Sequence, residues 1–302
     1  MTLHETQAPP LSVLSRAILQ TPRPEAGMIV HAYFDETGLN AQDLVLRWVG
    51  LIATGQFWGN FSRSWADVLM ENPAVPYWHT NSAHTNKLPS AVTWKPIPWD
   101  DLKAKEERLC QLLAWHKNKL AAIEVYMNKA DHAAIVPGHI VDTAMTKFLA
   151  PGLVGSLERD TLIMIRHAIS AAAAYAKNWA SIRPNDEEDP LKVWVAFEDN
   201  ESLAELQDEL CFAMQVLRTL TVHNQRKILG PVVFLDSSGP NASLPLQAAD
   251  LFAWHVRKAD ACVPPEHWRI LKAVPHNRVP ITPERLQSYV EAANRSERVT
   301  LL

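Results

Sequence analysis

The hydrophobic positions of this chain change period several times, and each change marks an element. Met28–Phe34 is an apolar run rich in β-branched and aromatic residues, and it stops at two adjacent carboxylates, Asp35 and Glu36. It is too short for a buried helix, so it reads as a strand, with Gly38 and Asn40 forming the turn that ends it. Val45–Ala53 is a second such run, and the two are expected to pair as a hairpin across Gly38–Asp43. Phe57, Phe61, Trp65, Val68 and Leu69 then recur at helical spacing, which predicts an amphipathic helix over 57–70, ended by Pro73 and Pro76. A helix is expected over 100–117, with Leu102, Leu109, Leu112 and Leu113 inward, and a strand over Leu120–Met127. Leu162, Ile165, Ile169, Ala172, Ala176 and Trp179 make the core face of a long helix over 157–179.

The later part of the chain repeats one theme. Val193, Val195 and Phe197 alternate as a strand does, and that strand ends in Glu198 and Asp199. Ser202 with Glu205 is a capping box, so a helix is expected next, with Leu203, Leu206, Leu210, Ala213, Met214 and Leu217 as its apolar stripe. Residues 231–236 form a further short strand. The helix predicted over 242–258 has Pro245 in its first turn. Leu246, Ala249, Ala253 and Val256 face the core, while Gln247, Asp250 and Trp254 share the adjacent stripe. A last helix opens at Thr282–Pro283, with Leu286, Tyr289, Val290 and Ala293 on its apolar side. Between these elements lie stretches without a period. Residues 1–27 read as a loosely held arm, 182–190 as a solvated acidic connection, and 264–283 as a proline-rich segment. Residues 72–99 hold five prolines with His79 and His84, and suit a lid or binding loop.

The order of elements predicts an α/β chain on a mixed sheet with an antiparallel start. Composition agrees with a soluble globular protein, since 47% of the 302 residues are hydrophobic and 21% charged. No apolar run approaches the roughly 20 residues a membrane span needs. The N-terminal stretch lacks a basic start and an apolar signal core, so a cytoplasmic location is expected. Cys110, Cys211 and Cys262 are widely spaced and odd in number, which suits reduced thiols and lacks any zinc spacing. The net charge of −4 does not announce a nucleic-acid binder, although Arg226, Lys227, Arg257, Lys258, Arg269 and Lys272 make the last third locally basic.

Candidate chemistry comes from the acids. Singly, Asp35 and Glu36 are an acidic turn, and Asp250 is a helix acid paired with a base or a backbone group. Taken together, Asp35, Glu198 and Asp250 are two strand-end acids and one acid on a flanking helix, and sites in α/β sheets gather at strand ends. Mg²⁺ and Mn²⁺ prefer carboxylate and water oxygens, and two such ions about 4 Å apart serve phosphodiester hydrolysis. The chain carries no glycine-rich phosphate loop, no G-x-S-x-G elbow and no H-E-x-x-H. Asp35-Glu36-Thr37-Gly38 loosely resembles aspartyl nucleophile loops. Thr37, however, stands where phosphatases have a second aspartate, and Glu36 where cation pumps have lysine.

FDETG near the start, FEDNES in the middle and PLQAADLFAW near the end resemble the family catalogued as domain of unknown function 3800. The resemblance covers about residues 28–258 and implies a ribonuclease-H-like fold. By position it carries over Asp35, Glu36, Gln247 and Asp250, with Glu198 as the acid after the middle strand. Thr37 replaces the family's commoner serine and keeps the hydroxyl. The expectation is therefore an N-terminal arm (1–27), a ribonuclease-H-like domain (28–260) that includes the loop 72–99, and a C-terminal extension (261–302) packed on the same domain. The expected activity is that of a divalent-metal-dependent nuclease or other phosphodiester-cleaving hydrolase. Asp35, Glu198 and Asp250, with Asp199, would hold Mg²⁺ or Mn²⁺. Glu36 or Asp199 would complete the shell, Gln247 would bond a ligand carboxylate or the substrate, and His84, ahead of His79, would act as general acid or base. Two alternatives stay open, a non-catalytic nucleic-acid or protein-binding module on the same fold, and aspartyl-phosphate chemistry at Asp35. Trp78, Trp94 and Trp99 are either base-stacking groups in an open loop or partly buried core.

Overall fold

The β-branched and aromatic runs form the expected strands in the computed structural model, which describes residues 29–37, 43–136, 159–182, 192–198, 229–237, 242–261 and 264–294. Strands β1 (Ile29–Thr37), β2 (Val45–Thr54), β3 (Leu120–Asn128), β4 (Lys192–Glu198), β5 (Leu229–Leu235) and β6 (His276–Ile281) make one six-stranded sheet in the order β5-β4-β1-β2-β3-β6. β1 and β2 pair antiparallel with Asp35 opposite Val49, and β3 pairs antiparallel with β2. β4 joins β1 in parallel, β5 joins β4 in parallel and β6 joins β3 in parallel. The sheet is therefore mixed with an antiparallel start, as the order of elements predicts.

Helices cover both faces. Val30, Ala32 and Phe34 of β1, with Val193, Val195 and Phe197 of β4, face a core completed by α5 (Arg159–Ile182) and α8 (Pro283–Asn294). The intervening residues face a second core with α1 (Gly55–Met70), α3 (Trp99–Trp115), α6 (Leu244–Asp260) and the short α7 (Trp268–Leu271). Alternation thus sends odd residues of β1 and even residues of β4 to the α6 side. Gly50 of β2 is needed because a Cβ there would stand 2.5 Å from the Phe34 ring.

Four elements stand where no period marks them. The loop 72–99 contains α2 (Thr80–His84) and a Pro89–Pro96 bridge, and α4 (Lys129–Ile135) follows β3 directly. The proline-rich stretch 264–283 contains α7 and β6. Pro280 is tolerated in β6 because that strand lies at the sheet edge, where a missing N–H breaks no ladder on the open side. The arm 1–27, the hairpin turn at 38–42, the acidic connection 183–190, Asp199, the capping-box helix, Cys211, Cys262, Arg226 and Lys227 lie outside the described residues. Among the described residues no helix is long and apolar enough to cross a membrane.

Candidate active site

Register brings the acids together. Phe34 of β1 lies beside Phe197 of β4, so the next residues of these parallel strands, Asp35 and Glu198, end up side by side on the α6 face. β5 ends next to Glu198, with Leu235 as its partner, and Ser237 follows two residues later on the same face. The chain then turns into α6, with the Ser243 N–H donating to the Asp236 carbonyl at 2.6 Å. Helix α6 packs on β1 and β2, and its second turn presents Asp250 close enough to feel Asp35 and Glu198. Asp35, Asp250 and Ser237 are buried.

The electrostatics follow from that crowding. Burial pushes the Asp35 carboxyl well above the ordinary range. A side-chain hydrogen bond with Glu198 and the charges of Glu198, Asp250 and Glu36 push the same way. Two carboxyl groups that share a hydrogen bond share a proton. Burial also raises Asp250, to about 6, and Glu198 adds to the shift, while His79 and the two bonds from Thr80 pull it down. The Ser237 hydroxyl donates to Glu198 Oε1. Glu36, on the opposite face by alternation, contributes charge rather than a place in the cluster.

The loop 72–99 closes the site from the other side. Thr80 donates to Asp250 Oδ2 twice, from its backbone N–H at 2.7 Å and from its hydroxyl at 2.9 Å. The Trp78 indole donates to Thr80 Oγ1 at 3.1 Å. Gln247 is fully buried one turn before Asp250, and its Oε1 accepts from the Trp78 N–H (2.9 Å) and the Trp65 indole (3.2 Å). Its Nε2 is buried without a partner. Gln247 thus fastens the loop to α6, and residue 79 between the two fastened residues is delivered to the acids. The His79 ring is oriented by a 2.7 Å contact between Nδ1 and the Ser82 hydroxyl.

His84 lies elsewhere. Its ring is packed between Trp99 (3.8 Å) and Trp254 (4.0 Å), with Nε2 3.0 Å from Glu106 Oε2. Glu106 also meets His255 at 2.9 Å. Burial would raise the Glu106 pKa, but the bonds from His255 and His84 more than offset it, leaving it lowered. His84 therefore belongs to a polar cluster with Glu106 and His255 at the edge of the core, with Trp254 stacked on it. Of the basic residues in the last third, Arg257 stands 3.7 Å from Asp43 and Lys258 lies over the Trp254 ring. A cavity of about 330 Å³ between Thr54, Phe57 and Lys119 is at the far end of β2, since Thr54 pairs with Val30 and not with Asp35.

Of the residues expected from the sequence, the structure brings together Asp35, Glu198, Asp250 and Gln247, and it adds Thr80 and Ser237, which the sequence does not single out. No pattern in the sequence singles those two out, because what recruits them is contact with an acid from a distant element. The donor set of the three acids is all oxygen, the chemistry a hard divalent cation takes. Among the described residues, no three or more His, Cys, Asp or Glu side chains are arranged to hold a metal ion as they stand. Asp35 and Glu198 are instead turned toward each other, and Asp250 toward Thr80. No family model, no curated protein and no solved structure matches this chain.

Proposed function

We propose that the chain is a divalent-metal-dependent phosphodiester hydrolase of ribonuclease-H-like type, acting on nucleic acid. The observation that carries this reading is the buried carboxyl cluster, in which Asp35 shares a hydrogen bond with Glu198 and feels the charge of Asp250. Three acids cannot all stay ionised in one desolvated place without a compensating positive charge. A proton held on Asp35, whose pKa is raised well above the ordinary range, supplies it here. Asp35, Glu198 and Asp250 would hold Mg²⁺ or Mn²⁺ in place of that proton. When bound, the cation would activate a water and stabilise the charge developing on the phosphate.

The rest of the chemistry belongs to the chain. Ser237 orients Glu198 through Oε1, and Thr80 orients Asp250 through Oδ2. Gln247 holds the 78–80 segment in place. The His79 ring, set by Ser82, is the group that hands a proton to the departing oxygen. His84 takes no part, because Glu106 and two indoles hold it.

Cleavage of labelled oligonucleotides in Mn²⁺ tests the proposal, with Mn²⁺ binding followed by calorimetry. Asp35→Asn and Asp250→Asn should each lose at least about a hundredfold in rate, the scale seen when one electrostatic group is removed from a preorganised site. Both variants should remain folded by circular dichroism and bind Mn²⁺ more weakly. Activity retained in either variant removes that residue from the mechanism.

A further inference from the structure

We propose that the hairpin tip at Val92–Lys95 is a stacking platform for single-stranded nucleic acid running out of the acid site. This rests on the reading above and extends it to the substrate's form. The tip is a built structure. Ser90 N–H donates to the Lys95 carbonyl at 2.8 Å, Trp94 N–H to the Ser90 carbonyl at 3.0 Å, and Ile97 N–H to the Leu88 carbonyl at 2.9 Å. The Ser90 hydroxyl accepts from Val92 N–H (3.2 Å) and Thr93 N–H (3.3 Å). Ala91 is tied back to the Ala74 carbonyl at 2.8 Å.

What this scaffold presents is unusual. Trp94 has φ of 56°, a left-handed conformation that an L side chain adopts at a cost. Its indole is nonetheless 66% exposed, and Val92 beside it is 79% exposed. A strained backbone that gains no burial for its large side chain points to a use outside the fold. The surroundings name the partner. Residues 72–99 contain no Asp or Glu at all, in a chain of net charge −4, and carry Lys87 and Lys95, both exposed. An exposed indole next to Lys95, on a hairpin whose base carries Lys87, suits an unpaired base and its phosphates, whereas a duplex keeps its base faces stacked inside.

The tip is also joined to the site. Lys87 N–H and Leu88 N–H both donate to the Ser82 carbonyl, at 2.7 and 3.2 Å. Ser82 in turn orients His79, and Thr80 binds Asp250. A hydrogen-bonded stretch of fewer than ten residues therefore runs from the catalytic acids to the base of the hairpin. A strand whose scissile phosphate meets the acids continues over this surface.

The test is fluorescence anisotropy of a labelled twelve-nucleotide dT or U oligomer with the full-length chain in EDTA, which prevents metal-dependent cleavage. Trp94→Gly is the decisive variant. Glycine suits the left-handed position, so the melting temperature should stay level or rise, while oligomer affinity should fall at least about fivefold, the low end of a lost base–aromatic stack. Trp94→Phe should retain much of the binding. Lys95→Glu should weaken binding and flatten its salt dependence. Wild-type affinity in Trp94→Gly, equal binding of duplex and single strand, or Trp94-dependent binding to anionic vesicles instead of oligomers would overturn the proposal. Calorimetry with Mn²⁺ keeps the two readings apart. Trp94→Gly should bind the ion as the wild type does. Absence of ion binding in the wild type alongside Trp94-dependent oligomer binding would count against the cation reading alone.

Discussion

His31 stacks nearly parallel on Trp194 at 5.2 Å, with Nδ1 3.3 Å from the Tyr33 hydroxyl, and Gly55 is so close that a Cβ there would lie 3.1 Å from its Nε2. Burial lowers its pKa to about 4. The unfolded chain takes up this proton near pH 6.5 and the folded chain does not, so the stability held above pH 6.5 is lost as pH falls toward 4. The ceiling on that loss is about 3 kcal/mol. Asp35 and Asp250 carry the opposite sign, because their raised pKa values let the folded state bind more protons, and their contribution falls as pH rises. The His31 contribution is therefore best read as a difference. His31→Phe should lose less melting temperature than wild type between pH 7 and pH 5, by thermal denaturation at each pH. Parallel declines would place the acid sensitivity elsewhere. At this scale the sequence is legible for strand-end acids and silent on histidines. His79 and His84 sit five residues apart in the same polar stretch, and only tertiary structure sets them apart, His79 bonded to Ser82 next to the Thr80 that binds Asp250, and His84 beside Glu106.

Among elements, the edge strand β6 depends most on charge. Glu124 of β3 is fully buried and meets Arg47 at 2.7 Å, the Arg278 Nε at 2.8 Å and His276 at 3.1 Å. Asp260, at the end of α6, meets the same two arginines at 2.8 and 2.7 Å. Burial would raise the Glu124 pKa, but His276, Arg278 and Arg47 together leave it lowered. This network joins β2, β3, β6 and α6. Glu124→Gln leaves two arginines facing each other with one carboxylate fewer, which should cost about 3 kcal/mol in chemical denaturation. Hydrogen exchange should show early loss of protection at 276–281. Unchanged protection there would mean that backbone pairing with β3 alone holds the strand. The sequence concealed β6 because HNRVPI is short, mostly exposed and without an apolar run, and its place is set by the ion network and by pairing with β3, a strand distant in sequence. The helices α1, α3 and α5 were legible because each buries one continuous stripe, whereas α6 is buried nearly all round and was legible from its proline start and apolar run.

For the whole molecule, the sheet separates two cores, and the tryptophans divide accordingly. Trp48, Trp58, Trp65 and Trp78 are fully buried, while Trp94 and Trp115 are exposed. The acid cluster lies at the α6 edge of the second core, where its unbalanced charge weakens a structure that is otherwise closely packed. A cation held there stabilises the folded state by mass action, by about 2.7 kcal/mol at a hundredfold excess over its Kd. Differential scanning fluorimetry should record a rise of a few degrees with Mn²⁺ in wild type, and none in Asp35→Asn. The same variant should already melt higher than wild type without metal above pH 7, since it removes one of the crowded carboxylates. A flat response of wild type to millimolar Mn²⁺ would defeat the cation reading.

Periodicity determined most of the elements by itself, because burying one face of a helix or strand leaves a repeat of 3.6 or 2 in the residues. It also determined that Glu198 ends a strand, that Asp35 lies near the end of another, which continues two residues further to Thr37, and that Asp250 lies one turn beyond Gln247 on the flanking helix. Tertiary structure decided everything that depends on two distant segments meeting. Parallel register of β1 and β4 set Asp35 against Glu198, and the fastening of residues 78–80 to α6 chose His79 over His84. It also carried Trp94 out to solvent while its neighbours Trp78 and Trp99 were drawn inward. The physical reason is range. Propensity and amphipathicity act within a few residues and leave their record there, whereas a shared proton, a buried ion pair or an exposed indole is settled by what the fold brings within a few ångströms.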